Sequence, residues 1–279
     1  MQTKAFFLQA LTPVHPGTGQ ASSALVDLPV AREAATGFPI IPASSLKGVL
    51  RDGRGLDKDD ESLEAQEARK VFGYAGRKQE TDISQAGELA LTDARLLLLP
   101  VRSYAGTFAL ITCPLVLQRL ERDAEALGLS LGLPKAILAK EEALAGSAVQ
   151  HEKKLILEDL DLKMSGPADG LAQAISGLVF GREEPYLMER LALVSNDVFG
   201  YFCQTGLEVI ARVRLESETK TVAKGALWYE EAIPAEAIFS FFALTKNAAY
   251  FAEITARPYL QVGGEASVGR GLLRVLGGA

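Results

Sequence analysis

A chain of 279 residues, 48% apolar and 23% charged, can bury a sizeable core as one large domain or two ordinary ones, and it lacks the uninterrupted apolar run of about 18 residues that a membrane span needs. Its net charge of −6, from 29 basic and 35 acidic residues, speaks against a protein that is basic throughout, as nucleic-acid binders usually are. The charge is uneven, however: 56–67 holds six acids and one lysine, whereas 44–54 and 256–274 each set three cations against one acid, so an acidic outer face and two basic segments can coexist.

Residues 4–11 (KAFFLQAL) read as a first strand, stopped by Thr12-Pro13. From 12 to 43, five prolines and three glycines break any period, and a loop of that length is usually functional or disordered. Its apolar stretches (ALVDLPVA, FPII) predict that it packs. Ser44 and Ser45 are expected to N-cap a short helix with Leu46, Val49 and Leu50 on one face and Lys47 and Arg51 on the other. A charged helix over 60–72 ends at Gly73, and 74–87 reads as an exposed excursion. One or two buried strands follow in 87–101, then an amphipathic helix over 113–127 that opens on Pro114. The middle, 128–190, mixes helices with little signal of its own. Two β-rich runs in 207–231, around a polar turn near 216–220, predict a long hairpin. A strand (IFSFFAL), a helix (NAAYFAEITARP) and a short strand (YLQVGG) lead into a glycine loop. Strands and helices intersperse without regular alternation, which predicts an α+β fold with insertions. Cys113 and Cys203 form no CxxC pair, and the N-terminal apolar stretch is too short and mixed for a signal peptide, so a cytoplasmic setting is expected.

Several common motifs are absent. No P-loop occurs, GTGQAS at 17–22 is an incomplete GxGxxG, and HEKKL at 151–155 has Leu155 where a zinc protease needs its second histidine. Three features remain. QVGGEASVGRG (261–271) carries Gly263, Gly264, Gly269, Gly271 and Arg270; such a loop can bring backbone N–H groups up to a phosphate, or simply turn between two strands. The helix start, with Ser44, Ser45, Lys47 and Arg51, suits a phosphodiester backbone or an ordinary solvated face. The opening loop holds His15 and Asp27, of residue types that serve catalysis or, more commonly, loop structure.

The segments TPVHPGTGQ, VDLPVARE, GFPIIPASSLKGVLRD, LTDARLLLLPVRSYAGTFALITCPLVLQRL, LVSNDVF, GALWYEEAIP and QVGGEASVGRG occur in this order. Together they resemble the backbone subunit of type III-B (Cmr) CRISPR effector complexes, a family of the RAMP superfamily, over nearly the whole chain. The resemblance implies a single RAMP domain over 1–279. An RRM-like, ferredoxin-like palm would come from the first strand, the helix from Ser44, strands in 88–112 and the C-terminal segment. Fingers would lie in about 55–87 and parts of 128–190, and the hairpin at about 207–231 would be a thumb. The RNP aromatic motif of ordinary RRM domains is missing, so that likeness stops at topology.

The resemblance further implies copies stacked as a helical filament on guide RNA, beside other effector subunits, with each thumb distorting the guide–target duplex and the target RNA cut at regular intervals. The family's catalytic loop aspartate matches Asp27, its loop histidine His15, and its acidic pair after the tryptophan Glu230 and Glu231. Its guide-contacting helix and glycine loop match Lys47, Arg51 and Gly263 to Gly271. A lone aspartate is a weak base for a ribose 2′-hydroxyl, so Asp27 suits the role of a ligand to Mg²⁺. Attack by that hydroxyl would leave a 2′,3′-cyclic phosphate and a 5′-hydroxyl. His15 would position the loop or assist proton transfer, and Glu230 or Glu231 could complete the metal site of a neighbouring copy. The alternatives are a non-catalytic RNA-ordering subunit, a guide-RNA processing endonuclease that leans on His15, and a metabolic enzyme whose glycine loop holds a nucleotide.

Overall fold

The computed structural model describes residues 1–17, 26–55, 62–74, 84–216, 218–219 and 221–277. GTGQAS beyond Gly17, the acids of 57–61, most of the 74–87 excursion and part of the 216–220 turn lie outside the described residues. Strand β1 (Gln2–Ala10) places Phe6, Phe7 and Leu8 fully out of solvent. Successive side chains of a strand point to opposite faces, so β1 must be covered on both sides. After β1 come β2 (Ile40–Ile41), helix α1 (Ala43–Asp52) and helix α2 (Leu63–Phe72). The short strands β3 (Gly73–Tyr74) and β4 (Gln85–Ala86) pair with each other. Then follow β5 (Ala90–Leu91), β6 (Ala94–Arg102), β7 (Phe108–Thr112) and α3 (Pro114–Ala126).

The middle region contributes β8 (Glu142–Ala145), β9 (Lys154–Leu157), β10 (Leu160–Pro167), α4 (Asp169–Phe180), α5 (Pro185–Arg190), β11 (Leu191–Leu193) and α6 (Asn196–Thr205). The chain continues through β12 (Glu208–Leu215), β13 (Val222–Ala232), β14 (Ile238–Thr245), α7 (Ala252–Thr255), β15 (Tyr259–Gln261) and β16 (Leu272–Leu276). One large mixed sheet runs β15-β16-β1-β14-β6-β7-β11-β8-β10-β9, with β2 added beside β6 and β5 beside β14. The first five strands of that order pair antiparallel, and β7 with β11 and β8 with β10 are parallel. On β1, Phe6 lies opposite Phe241 of β14, their rings stacked with centroids 5.5 Å apart. The architecture is thus mixed α/β around one extended sheet.

The sequence expectations need four adjustments. Region 128–190 is not mainly helical: β8, β9 and β10 extend the large sheet. Neither Ser44 nor Ser45 caps α1. Pro42 is the N-cap residue, and the Ala43 N–H goes instead to Asp93 Oδ1 at 2.8 Å, which leaves both serines inside the first turn. The charged helix starts at Leu63, capped by the Ser62 hydroxyl, and the helix after β14 is a 3₁₀ turn (Ala248–Phe251) running into α7. The remaining helix ends agree, including Pro114 in the first turn of α3. No helix among the described residues is long and apolar enough to cross a membrane.

Candidate active site

The hairpin β12–β13 forms a two-stranded sheet of its own, and the opening loop is laid against the base of β13. A strand's backbone groups point alternately to its two edges. β12 runs along one edge of β13, and the main-chain groups of Tyr229, Glu231 and Ile233 turn to the other edge, toward the loop. There Val14 and Ile233 exchange two hydrogen bonds, of 2.9 and 2.8 Å. The Tyr229 carbonyl accepts from the N–H groups of Asp27 and Leu28, each at 3.1 Å, and the Glu231 N–H donates to the Leu28 carbonyl at 3.0 Å. Two parts of the loop thereby form single β-bridges, Leu28 to Glu230 on β13 and Val14 to Ile233 just past its end.

Asp27 sits exposed on this edge. Its Oδ2 accepts the Tyr229 N–H at 2.8 Å, and Oδ1 makes no hydrogen bond among the described residues. One oxygen therefore fixes the side chain while the other faces solvent. His15, by contrast, is buried, its Nδ1 2.6 Å from the Glu231 carbonyl oxygen. A carbonyl can only accept, so Nδ1 carries the hydrogen. The other ring nitrogen lies beneath Gly17, where a Cβ would come within 2.8 Å of it. This is the geometry of an anchor that ties the loop to β13.

Glu230 and Glu231 are adjacent in sequence but point to opposite faces, and both are buried. The Glu231 carboxylate is fully engaged within the subunit: Oε1 takes Arg32 Nη2 at 2.6 Å and Oε2 takes the Val30 N–H at 3.0 Å. Glu230 lies 3.9 Å from His15 Nδ1 and 3.5 Å from Arg212 Nε. Burial pushes the Glu230 carboxyl up, as does its hydrogen bond to the Glu265 carboxyl; His15 and Arg212 offset this only in part. The acidic pair is thus built into the base of the β12–β13 hairpin, each carboxylate set against groups of its own subunit.

The glycine loop backs onto the same place. Gly263 has φ +87°, and a Cβ there would lie 2.3 Å from the His15 carbonyl oxygen, which also accepts the Gly264 N–H at 3.1 Å. Gly271, at φ +78°, would bring a Cβ within 2.1 Å of the Val262 carbonyl oxygen. Gly269 closes the small turn at φ +79° with open space around it. Several N–H groups expected to face a phosphate are already used: Gly264 on His15, Gly269 on Ala266, Arg270 on Glu265 and Gly271 on Pro13. Arg270 also points inward rather than out, paired with Glu265 at 3.3 Å and Glu208 at 3.8 Å and only 14% exposed. We expect Gly263→Ala to cost roughly 1–3 kcal/mol through the close approach and positive φ together, and Gly269→Ala only about 1 kcal/mol. Thermal unfolding of the two variants checks the order.

On α1, Leu46 and Leu50 are buried, Ser44 and Arg51 exposed, and Ser45 and Lys47 half-buried. Lys47 has no acidic partner among the described residues, and burial lowers its pKa. Among the described residues Arg51 reaches Asp52, at 3.4 Å. α1 packs on β15, the strand that leads into the glycine loop. Sequence reasoning missed Arg32, Arg212, Glu208 and Glu265, which hold the loop and the base of the β12–β13 hairpin together. A charged residue inside an apolar, proline-rich loop was the one available signal for Arg32, because such a charge needs a buried partner.

A family model for the RAMP superfamily matches residues 7–274. A protein of Pyrococcus furiosus, named CRISPR system Cmr endoribonuclease Cmr4, is 35% identical over 96% of this chain and 93% of its own length. The crystal structure of oligomeric Cmr4 from Pyrococcus furiosus superposes with a TM-score of 0.76 at 30% identity, over 99% of this chain and 97% of that one. A chain in the cryo-EM structure of the type III-B Cmr-beta complex bound to cognate target RNA shares the fold, with a TM-score of 0.76 at 22% identity over 99% and 97% of the two chains. Family match and near-complete coverage agree: this chain belongs to the RAMP superfamily, among relatives of the backbone subunit of type III-B (Cmr) CRISPR effector complexes.

Proposed function

We propose that this chain is a guide-RNA-binding filament subunit of a CRISPR effector, in the cytoplasm, and that it cleaves complementary target RNA at regular intervals with Asp27 at the reacting phosphate. The observation that carries this reading is Asp27 itself: an exposed carboxylate, immobilised by a backbone N–H through one oxygen and open at the other, at the foot of a protruding hairpin. The Pyrococcus furiosus relative is named an endoribonuclease, which supports the same activity here. The order β16-β1-β14-β6, all antiparallel, with α1 between β1 and β6 and α7 between β14 and β16, supports reading this part as the ferredoxin-like, RRM-like palm. In that reading β12–β13 is the thumb, and the segments around α2 and from β8 to β10 are the fingers.

No cluster of three or more acidic, histidine or cysteine side chains that could cage a metal occurs among the described residues. The donor this chain offers is Asp27 Oδ1, which fits Mg²⁺ held by one carboxylate, its own waters and RNA phosphate oxygens. Such an ion would stabilise charge on the scissile phosphate and favour deprotonation of the 2′-hydroxyl. The protein's own part is to hold Asp27 still against β13, while His15 and the glycine loop keep the loop seated. His15 is buried with Nδ1 committed to a carbonyl, which favours this supporting role over that of the base in a guide-processing enzyme.

The guide would lie along α1. Lys47, half out of water and without an acidic partner among the described residues, offers a charge that a phosphate can take at little cost in competing interactions. Lys47→Ala is expected to weaken guide binding several-fold and to lower the slope of log affinity against log salt by about 1. Filter binding across a salt series measures both. The activity itself is tested with the complex reconstituted on guide RNA and end-labelled complementary target. Evenly spaced cuts that leave 2′,3′-cyclic phosphate ends support the proposal, whereas intact target leaves an RNA-ordering scaffold.

A further inference from the structure

We infer that Arg32, acting through Glu231, is a positioning residue for Asp27; the inference rests on the reading of Asp27 as the catalytic carboxylate. The guanidinium of Arg32 makes three contacts with three parts of the fold. Nη2 meets Glu231 Oε1 on β13 at 2.6 Å, and Nη1 donates to the Gly37 carbonyl at 2.8 Å and the Cys203 carbonyl of α6 at 2.7 Å. The next acid along, Glu33, is held by both terminal nitrogens of Arg119 on α3, each at 2.7 Å, and by Arg95 Nε on β6 at 2.9 Å. The segment from Arg32 onward is therefore fixed to the body of the protein. Asp27 lies five residues earlier in the chain, just beyond that fixed point.

Glu231 is the relay. Its main-chain N–H holds the Leu28 carbonyl at 3.0 Å, and its Oε2 holds the Val30 N–H at 3.0 Å. One residue thus grips the loop directly after Asp27 by both backbone and side chain, and Arg32 sets the orientation of that side chain. A planar guanidinium with several donors suits this task, whereas a single ammonium cannot span all three acceptors. With Arg32 removed, the Glu231 carboxylate, whose side chain is only 8% exposed, loses its cationic partner. A buried carboxylate left that way must move, take up a proton or draw in water. Any of these loosens residues 28–30 and, through them, Asp27.

The test uses the complex reconstituted with guide RNA and carrying Arg32→Ala, Arg32→Lys or Glu231→Gln. Single-turnover cleavage and target affinity are measured on the complex, and amide hydrogen exchange on the subunit. A displacement of about 1 Å at a reacting group costs up to about 100-fold in rate, so Arg32→Ala is expected to cut 30- to 100-fold more slowly, in round figures of about that order. Target affinity should stay within about twofold, since Arg32 and Glu231 make their contacts inside the subunit and not to the target. The Leu28, Val30 and Tyr229 amides should exchange faster while those of β1 and β14 keep their protection, and Arg32→Lys should fall between. Unchanged exchange at these three amides in Arg32→Ala overturns the inference, as does a rate loss that merely follows affinity. If the unsubstituted complex makes no cuts at all, the reading of Asp27 fails, yet the exchange measurement still decides whether Arg32 holds the loop.

Discussion

Replacing Asp27 by Ala should abolish the evenly spaced cuts in target RNA, with a loss on the order of 10³-fold or more, while leaving target affinity near that of the unsubstituted complex. The asymmetry follows from the geometry. Asp27 is exposed and accepts one hydrogen bond, from Tyr229 at 2.8 Å, so its removal frees one backbone N–H that water can satisfy. No cavity opens in the core and no buried charge loses its partner. An anion facing RNA phosphates contributes nothing favourable to binding by itself, so affinity should hold or rise slightly. Asp27→Asn is the sharper variant, because the amide keeps an oxygen for the Tyr229 N–H and removes only the charge. If Asp27→Asn cuts as fast as the original, the carboxylate is not the reacting group and the chemistry lies elsewhere in the complex. Loss of cutting together with loss of target binding would point to a folding or assembly defect.

The elements legible in the sequence are those whose signals are local. β1 shows as an apolar run closed by Thr12-Pro13, α3 opens on Pro114, and the two β-rich runs after 207 pair as β12 and β13. What could not be read depends on partners far away in the chain. Asp93 replaces the serines as the acceptor for α1, and nothing near Ser44 announces it. The strands β8 and β9 have four residues each, too few for a period to show, and they gain their identity only by joining the sheet.

The site divides along the same line. Asp27 was visible as a lone carboxylate in an ordered loop, but its hold on Tyr229 was not. Glu230 and Glu231 read as one acidic pair, yet the period-two alternation of a strand sends them to opposite faces, each to its own cation. Arg270 read as a phosphate contact because it sits among glycines. The acids that claim it, Glu208 and Glu265, come from β12 and from its own loop, and only folding brings them together. Charge in a loop indicates that a partner exists without saying whether that partner is a ligand or another part of the chain.

The β12–β13 hairpin gives the second large effect. One face of β12–β13 carries Val209, Val213, Leu215, Val222, Leu227 and Tyr229, each about half exposed, with Val213 opposite Leu227 and Leu215 opposite Val222. An isolated two-stranded ribbon gains little by displaying so much apolar surface to water, and contiguous patches of this kind mark contact sites. In the proposed filament the neighbouring copy would cover it. The double substitution Val213→Glu with Leu227→Glu places two like charges opposite each other in the middle of the face. Burying them against a neighbour without partners is costly enough to weaken association on the order of 100-fold or more. Within the free subunit both side chains already meet solvent, so thermal unfolding of the monomer should shift little. Sedimentation of the guide-bound protein then separates the possibilities. Short species in place of filaments, at an unchanged melting temperature, identify this face as the contact between copies. Full-length filaments would mean that copies join through another surface and that the hairpin's apolar face meets the RNA instead.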